Sequence, residues 1–204
     1  MRLNFPKTLA AIFLAFWTIL AISPVSREVW WAENIPIMAV FIFLAATYRS
    51  FRFSNPSYAL MAFWLFWHTV GGHYTFAGVP FGWVSDLFGF ERNHFDRVGH
   101  FSVGFYAYPI AEFLWRRRLA HPAVIFLFGL FAIMSVACAY ELIEWRYAVT
   151  EGGDAGVEFL GSQGDVWDAQ KDMFADALGA VFALGLFAGR KNSIPQETRG
   201  QASF

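Results

Sequence analysis

Asp165, Asp168, Asp172 and Asp176 fall three and four residues apart in the stretch GSQGDVWDAQKDMFADALGA, residues 161–180. At about 100° per residue they lie within roughly 80° of one another on a helix and make one acidic stripe. Such a stripe either serves the start of its helix or holds a cation. Acids in a first turn meet the positive end of the helix dipole and the free N–H groups there, which accounts for Asp165 and Asp168. That effect fades after one turn, so Asp172 and Asp176 need another reason. The sequence beyond them is apolar to Gly189, and an ionised carboxylate in hydrocarbon costs several kcal/mol unless it is paired, hydrated or bound to a cation.

Three further pairs have the residue types for the same chemistry. Asp96 and His100 share a helix face at a separation of four, and Glu141 and Glu144 do so at three. An imidazole with one nitrogen held by a carboxylate is a metal ligand or a general base. His68 and His73 diverge by about 140° on a regular helix, but a break at Gly71 and Gly72 turns both inward. Cys138 rules out an intramolecular disulfide, being the single cysteine, and reads as a buried apolar residue. Glu112 reads as the partner of Arg116 at i+4. His94 and His121 have no acidic company and read as structural.

The elements that position these residues are membrane helices. The chain of 204 residues is 57% hydrophobic and 20% aromatic, with a mean hydropathy of +0.41, a balance that soluble domains seldom reach. Its net charge of −1 gives no case for nucleic-acid binding. Six apolar segments are predicted, at about 8–25, 34–48, 57–76, 97–115, 123–147 and 168–189, against the roughly 17–25 residues of a span. The second is short and takes Trp30 and Trp31 as an interfacial anchor. The first has the look of a signal peptide, with Arg2 and Lys7 ahead of an apolar run ending in AIS, but a retained helix places the charges more consistently. Arg2, Lys7, Arg49, Arg52, Arg116, Arg117, Arg118, Arg190, Lys191 and Arg199 fall on one side of such a bundle. By the positive-inside rule that side is the cytoplasm. The fold expected is therefore an all-α multi-pass transmembrane bundle of about six helices, N-in and C-in. It has a single domain over 1–191 and a short disordered cytoplasmic tail over 192–204.

Alternation of the six helices brings four groups to one depth, near the outer boundary. These are His68 and His73, Asp96 and His100, Glu141 and Glu144, and the stripe from Asp168 to Asp176. Acids there outnumber the nearby bases, so side-chain pairing alone does not neutralise them, and a cation or protonation must.

HTVGGHY at 68–74, RNHFDRVGHFSVG at 92–104, ELIEW at 141–145 and the acidic stretch at 161–180 resemble the signature blocks of the YjdF-type bacterial inner-membrane proteins. That family is defined by a domain of unknown function. The resemblance covers nearly the whole chain and implies a multi-pass protein of the bacterial inner membrane; it brings no reaction or substrate.

The residues themselves point to a divalent-metal site at the periplasmic face. His68, His100, Glu141, Asp172 and Asp176 form a mixed imidazole and carboxylate set suited to Zn, Mn, Mg or Fe. Asp96 and His100 would orient or activate water, and Arg97 would take an anion. A metal-dependent hydrolase or phosphoryl-transfer enzyme acting on a lipid or phosphorylated amphiphile is the activity expected. Two alternatives use the same residues: an ion, proton or metal transporter, and a structural subunit with a polar interhelical network. The first lacks a polar route through the inner half, where helix six reads ALGAVFALGLFAG.

Overall fold

The computed structural model of the chain describes residues 4–196, apart from the side chains at 154, 155 and 158. Secondary structure among the described residues is entirely helical. The α-helices are α1 (Phe5–Leu20), α2 (Arg27–Thr47), α3 (Asn55–Tyr74), α4 (Gly82–Phe88), α5 (Phe95–Val103), α6 (Ala107–Arg116), α7 (Pro122–Glu151), α8 (Gly153–Leu160) and α9 (Asp168–Arg190).

Local chemistry sets several of their starts. Proline stands in the first turn of α1, α3 and α7, where its missing N–H costs nothing. Ser26 Oγ caps α2 by accepting from Val29 N at 3.3 Å, and His121 Nδ1 caps α7 by accepting from Ala123 N at 3.3 Å. The predicted segments correspond to α1, α2, α3, α5 with α6, α7 and α9. The connections after α3 and α7 add α4 and α8.

α3 packs on α1, α2 and α5, while α9 packs on α5, α6 and α7, so α5 joins two halves of the bundle. One apolar core forms around Tyr108, Ile125, Ile133, Leu184 and Phe187, and a second around Phe13, Ile37, Trp64 and Leu65. Large apolar side chains also cover the outside, among them Ile12, Phe43, Phe128, Phe131 and Phe182. That inversion suits a protein whose solvent is lipid. By length and composition α2, α7 and the run from α9 to Ser193 can each cross a membrane; α1 is apolar but has 16 residues. α5 and α6 are too short to cross alone, with 9 and 10 residues.

Several expectations change at this level. α2 begins seven residues before Asn34, and Trp30 is not an interfacial anchor: it is fully buried against Trp17 and His73, while Trp31 faces outward. α3 runs unbroken through Gly71 and Gly72. Those glycines serve close packing, since a Cβ at Gly71 would collide with the Phe76 ring and one at Gly72 would sit 3.0 Å from Asn34 Nδ2. His73 accordingly turns away from His68, with Nδ1 2.7 Å from Leu20 O. Cys138 is exposed on α7, not buried. The predicted fourth segment is two helices, interrupted by a 3₁₀ turn at Gly104–Tyr106, and Pro109 removes an N–H from the first turn of α6. Of the expected tail, Lys191–Ser193 form a turn and Ile194 packs on the core, with its carbonyl 3.3 Å from Trp115 Nε1. Residues 197–204 lie outside the described residues.

Candidate metal site

The crossing of α5 and α9 makes the site. Gly104 and Gly179 meet there so closely that a Cβ on Gly104 would strike the backbone of Asp176, Gly179 and Ala180, and one on Gly179 would strike the Phe101 carbonyl. The contact brings two backbones together without intervening side chains. One turn outward on each helix, His100 then faces Asp176, and one turn further Asp96 and Asp172 face the same space.

His100 is held at both ends of its ring. Nδ1 lies 3.0 Å from Asp176 Oδ2. Nε2 lies 3.7 Å from Asp96 Oδ1 and 3.7 Å from Asp172 Oδ1. A carboxylate only accepts, so Nδ1 donates to Asp176; Nε2 faces two further carboxylates, where either a proton on Nε2 or a cation between the groups must stand. Both 3.7 Å separations are too long for hydrogen bonds but suit a shared ion: with bonds of about 2.1 Å, each pair subtends roughly 120° at the metal. Asp96, His100 and Asp172 together offer three ligand atoms within 4.8 Å of one another. Asp172 and Asp176 are 2% and 1% exposed, and Asp176 Oδ1 has no hydrogen-bond partner.

An outer layer of ion pairs covers this group. Arg92 Nη1 donates to Asp168 Oδ1 at 2.6 Å and Arg97 Nη2 donates to the same oxygen at 2.5 Å. Arg97 Nη1 also pairs with Asp172 Oδ1. Asp165 takes Lys171 Nζ at 2.6 Å and accepts from Trp167 N. The lysine hydrogen bond, followed by the Trp167 N–H, holds the Asp165 carboxyl below the usual aspartate range. Asp165 and Asp168 are thus spent on cations, and α9 has no side-chain cap. Asn93 and Gln163 exchange two hydrogen bonds, of 2.9 and 3.0 Å, and tie the connection before α5 to the one before α9.

The inner side of the site opens on a cavity of about 290 Å³ lined by His68, Asp96, His100, Tyr140, Glu144 and Asp176 among apolar residues. His68 lies across it from the three-residue group, with Nε2 2.9 Å from Glu33 Oε2. Tyr140 donates to the same Glu33 oxygen at 2.8 Å, and its ring stands 6.3 Å from that of His68 and 6.5 Å from that of His100. Glu141 turns to a separate outer hollow with Ser162, Asp165 and Asp168, where Oε1 is buried without a partner. Of the expected residues, His100, Asp96, Asp172 and Asp176 therefore come together with Arg97 beside them; His68 and Glu141 stand apart.

A family model described as "Predicted membrane protein (DUF2238)" matches residues 5–193. The chain belongs to this DUF2238 family. It is 37% identical over 164 residues to the inner membrane protein YjdF of Escherichia coli (strain K12), a match covering 78% of each chain. No solved structure matches it. With its long apolar helices, this DUF2238 member is a multi-pass protein of the bacterial inner membrane.

Sequence reasoning missed Tyr140, which lines the cavity, and Glu33, which accepts from it and pairs with His68. Glu33 was placed just outside the second segment, yet it is 2% exposed. Its signal was the spacing to Ile37 at i+4, which sets it on the inner face. Tyr140 gives no signal in an aromatic-rich apolar run until Glu33 is known to face it.

Proposed function

We propose that this protein binds a divalent cation at His100, Asp96 and Asp172 and uses it to hydrolyse, or transfer the phosphoryl group of, a phosphorylated amphiphile at the periplasmic face. One observation carries the reading: His100 is oriented through Nδ1 by buried Asp176 while Nε2 faces two carboxylates at distances that suit a common ion. That is the carboxylate–histidine–metal arrangement, with Asp176 as the orienting residue. The six-helix, N-in and C-in arrangement belongs to the same proposal and puts the site on the outer side.

A divalent ion held by His100, Asp96 and Asp172 would supply Lewis acidity toward a phosphoryl oxygen and toward water. Occupancy also satisfies Asp172, which frees Arg97 Nη1 to face the phosphate. Arg92, whose Nε and Nη2 have no hydrogen-bond partner, adds donors beside it. Water would attack phosphorus and the bond to the alcohol oxygen would break; the proton given up by the water would pass to that oxygen, leaving the free amphiphile and inorganic phosphate. Glu141 and the Glu33–His68 pair lie outside this first set of ligands and would adjust charge around it.

The test is phosphate release from a lipid phosphate in vesicles containing the purified protein. Release should be abolished by a chelator, restored by one of Zn, Mn, Mg or Fe, and reduced at least 100-fold in Asp172→Asn. Equal release by wild type and Asp172→Asn, or none with any of the four metals, contradicts the reading. The ion-pair layer of Arg92, Arg97 and Lys171 favours a second reading, a polar network that only fastens α5 to α9. Under it Asp172→Asn lowers thermal stability and no metal is bound.

A further inference from the structure

We infer that the cavity below the site is a slot for one acyl or isoprenoid chain, which enters sideways from the membrane between α2 and α7. This rests on the proposed hydrolase reading and names the form of its substrate: a phosphorylated amphiphile that keeps its tail within one leaflet while its head reaches His100.

On α7 the lining runs from Glu144 to Ile133, about 16 Å at 1.5 Å per residue, or close to half of a hydrocarbon core about 30 Å thick. The slot thus extends from the outer boundary to about mid-membrane, the depth of one leaflet. Its chemistry changes along that length. The outer end has His68, Asp96, His100, Glu144 and Asp176, whereas the inner part is walled by Val40, Val103, Ile110, Ile133, Val136 and Ala137. A polar end joined to a long apolar part fits an amphiphile and does not fit a soluble phosphate ester, which has nothing to fill the inner part.

The opening follows from how the helices pack. α2 rests on α3 and α8, and α7 rests on α6, α8 and α9. Among the described residues Tyr140 to Glu33 is the one side-chain hydrogen bond between α2 and α7. It lies at the outer end and leaves the stretch below it apolar on both sides. There Pro36 and Val40 of α2 face Ile133, Val136 and Ala137 of α7. Val136 lines the slot and is also 55% exposed, so the slot reaches the lipid-facing surface at that residue. A chain passing there runs between the apolar side chains of α2 and α7, and the Glu33–Tyr140 bridge closes the slot above it.

The experiment uses the full chain in vesicles with a single-chain alkyl phosphate carrying a photoreactive diazirine near the chain end. Labelling of the wild type is expected on peptides containing Val40, Ile133 or Val136, and to fall at least tenfold in Val136→Trp. Val124→Trp, equally lipid-facing on α7 but outside the slot, should label as wild type. Labels spread over outward residues such as Phe128 and Phe131, or a signal unchanged in Val136→Trp, would overturn the inference. Bound metal, measured on the same samples, separates the two proposals. Metal without slot labelling defeats the slot alone, and slot labelling without metal defeats the hydrolase reading while the slot stands.

Discussion

His100 draws its chemistry from neighbours on two helices. Asp176 acts through Nδ1, whereas Asp172 faces Nε2 directly, and the two acids should therefore fail differently. Asp176→Asn should weaken cation binding 10- to 100-fold, as loss of an orienting partner does, and Asp172→Asn should abolish it; calorimetric titration of the detergent-solubilised protein distinguishes them. Asp165 gives a pH prediction. Its carboxyl is held below the usual aspartate range, chiefly by Lys171, so its contribution is fully present above the unfolded aspartate value and is lost as pH falls through the lower folded value. Hydrogen exchange at residues 161–167 should accelerate only in acid, and Lys171→Ala should move that acceleration to higher pH. Asp172, Asp176 and His100 were legible in the sequence because polar groups deep in apolar helices are expensive. Glu33 was not, because a charged residue at the edge of an apolar run looks like the boundary of that run.

At the scale of elements, the α5–α9 crossing sets the site geometry. Gly179 has no room for a side chain, whereas Gly185, two turns further along α9, has open space. Gly179→Val should destabilise the fold by about 1–3 kcal/mol or more, the usual range for overpacking, and should also separate His100 from Asp176. Gly185→Ala should leave the thermal midpoint in detergent nearly unchanged. The sequence showed the length of the helix carrying His100 but not its interruption at Gly104–Tyr106. That break depends on a tertiary contact, the approach of the α9 backbone, which hydropathy does not register. The continuity of α3 through Gly71 and Gly72 has the same origin, since those glycines make room for Phe76 and Asn34.

At the scale of the molecule, two polar ends are separated by an apolar core. At the end opposite the site, buried Glu112 accepts from Ser54 N and Oγ, from Ser57 Oγ at 2.5 Å and from Arg116 at 2.9 Å. Between the ends lie the fully buried apolar residues Ile133, Ala183 and Leu184. If Arg116 and Arg190 face the cytoplasm, a C-terminal fluorescent reporter that matures only there should be bright, and a periplasm-dependent one should be silent. The all-helical membrane character was legible from composition alone. The split of the acids into an ion-paired outer layer and a site below it was not, because both layers lie on one stripe of α9 and only the positions of Arg92 and Arg97 divide them. The most direct test of the central claim is elemental analysis of protein purified from membranes without added metal, beside His100→Ala and Asp172→Asn. About one divalent ion per chain is expected in the wild type and none in either folded variant. A wild type that carries no metal and takes up none on titration would contradict it.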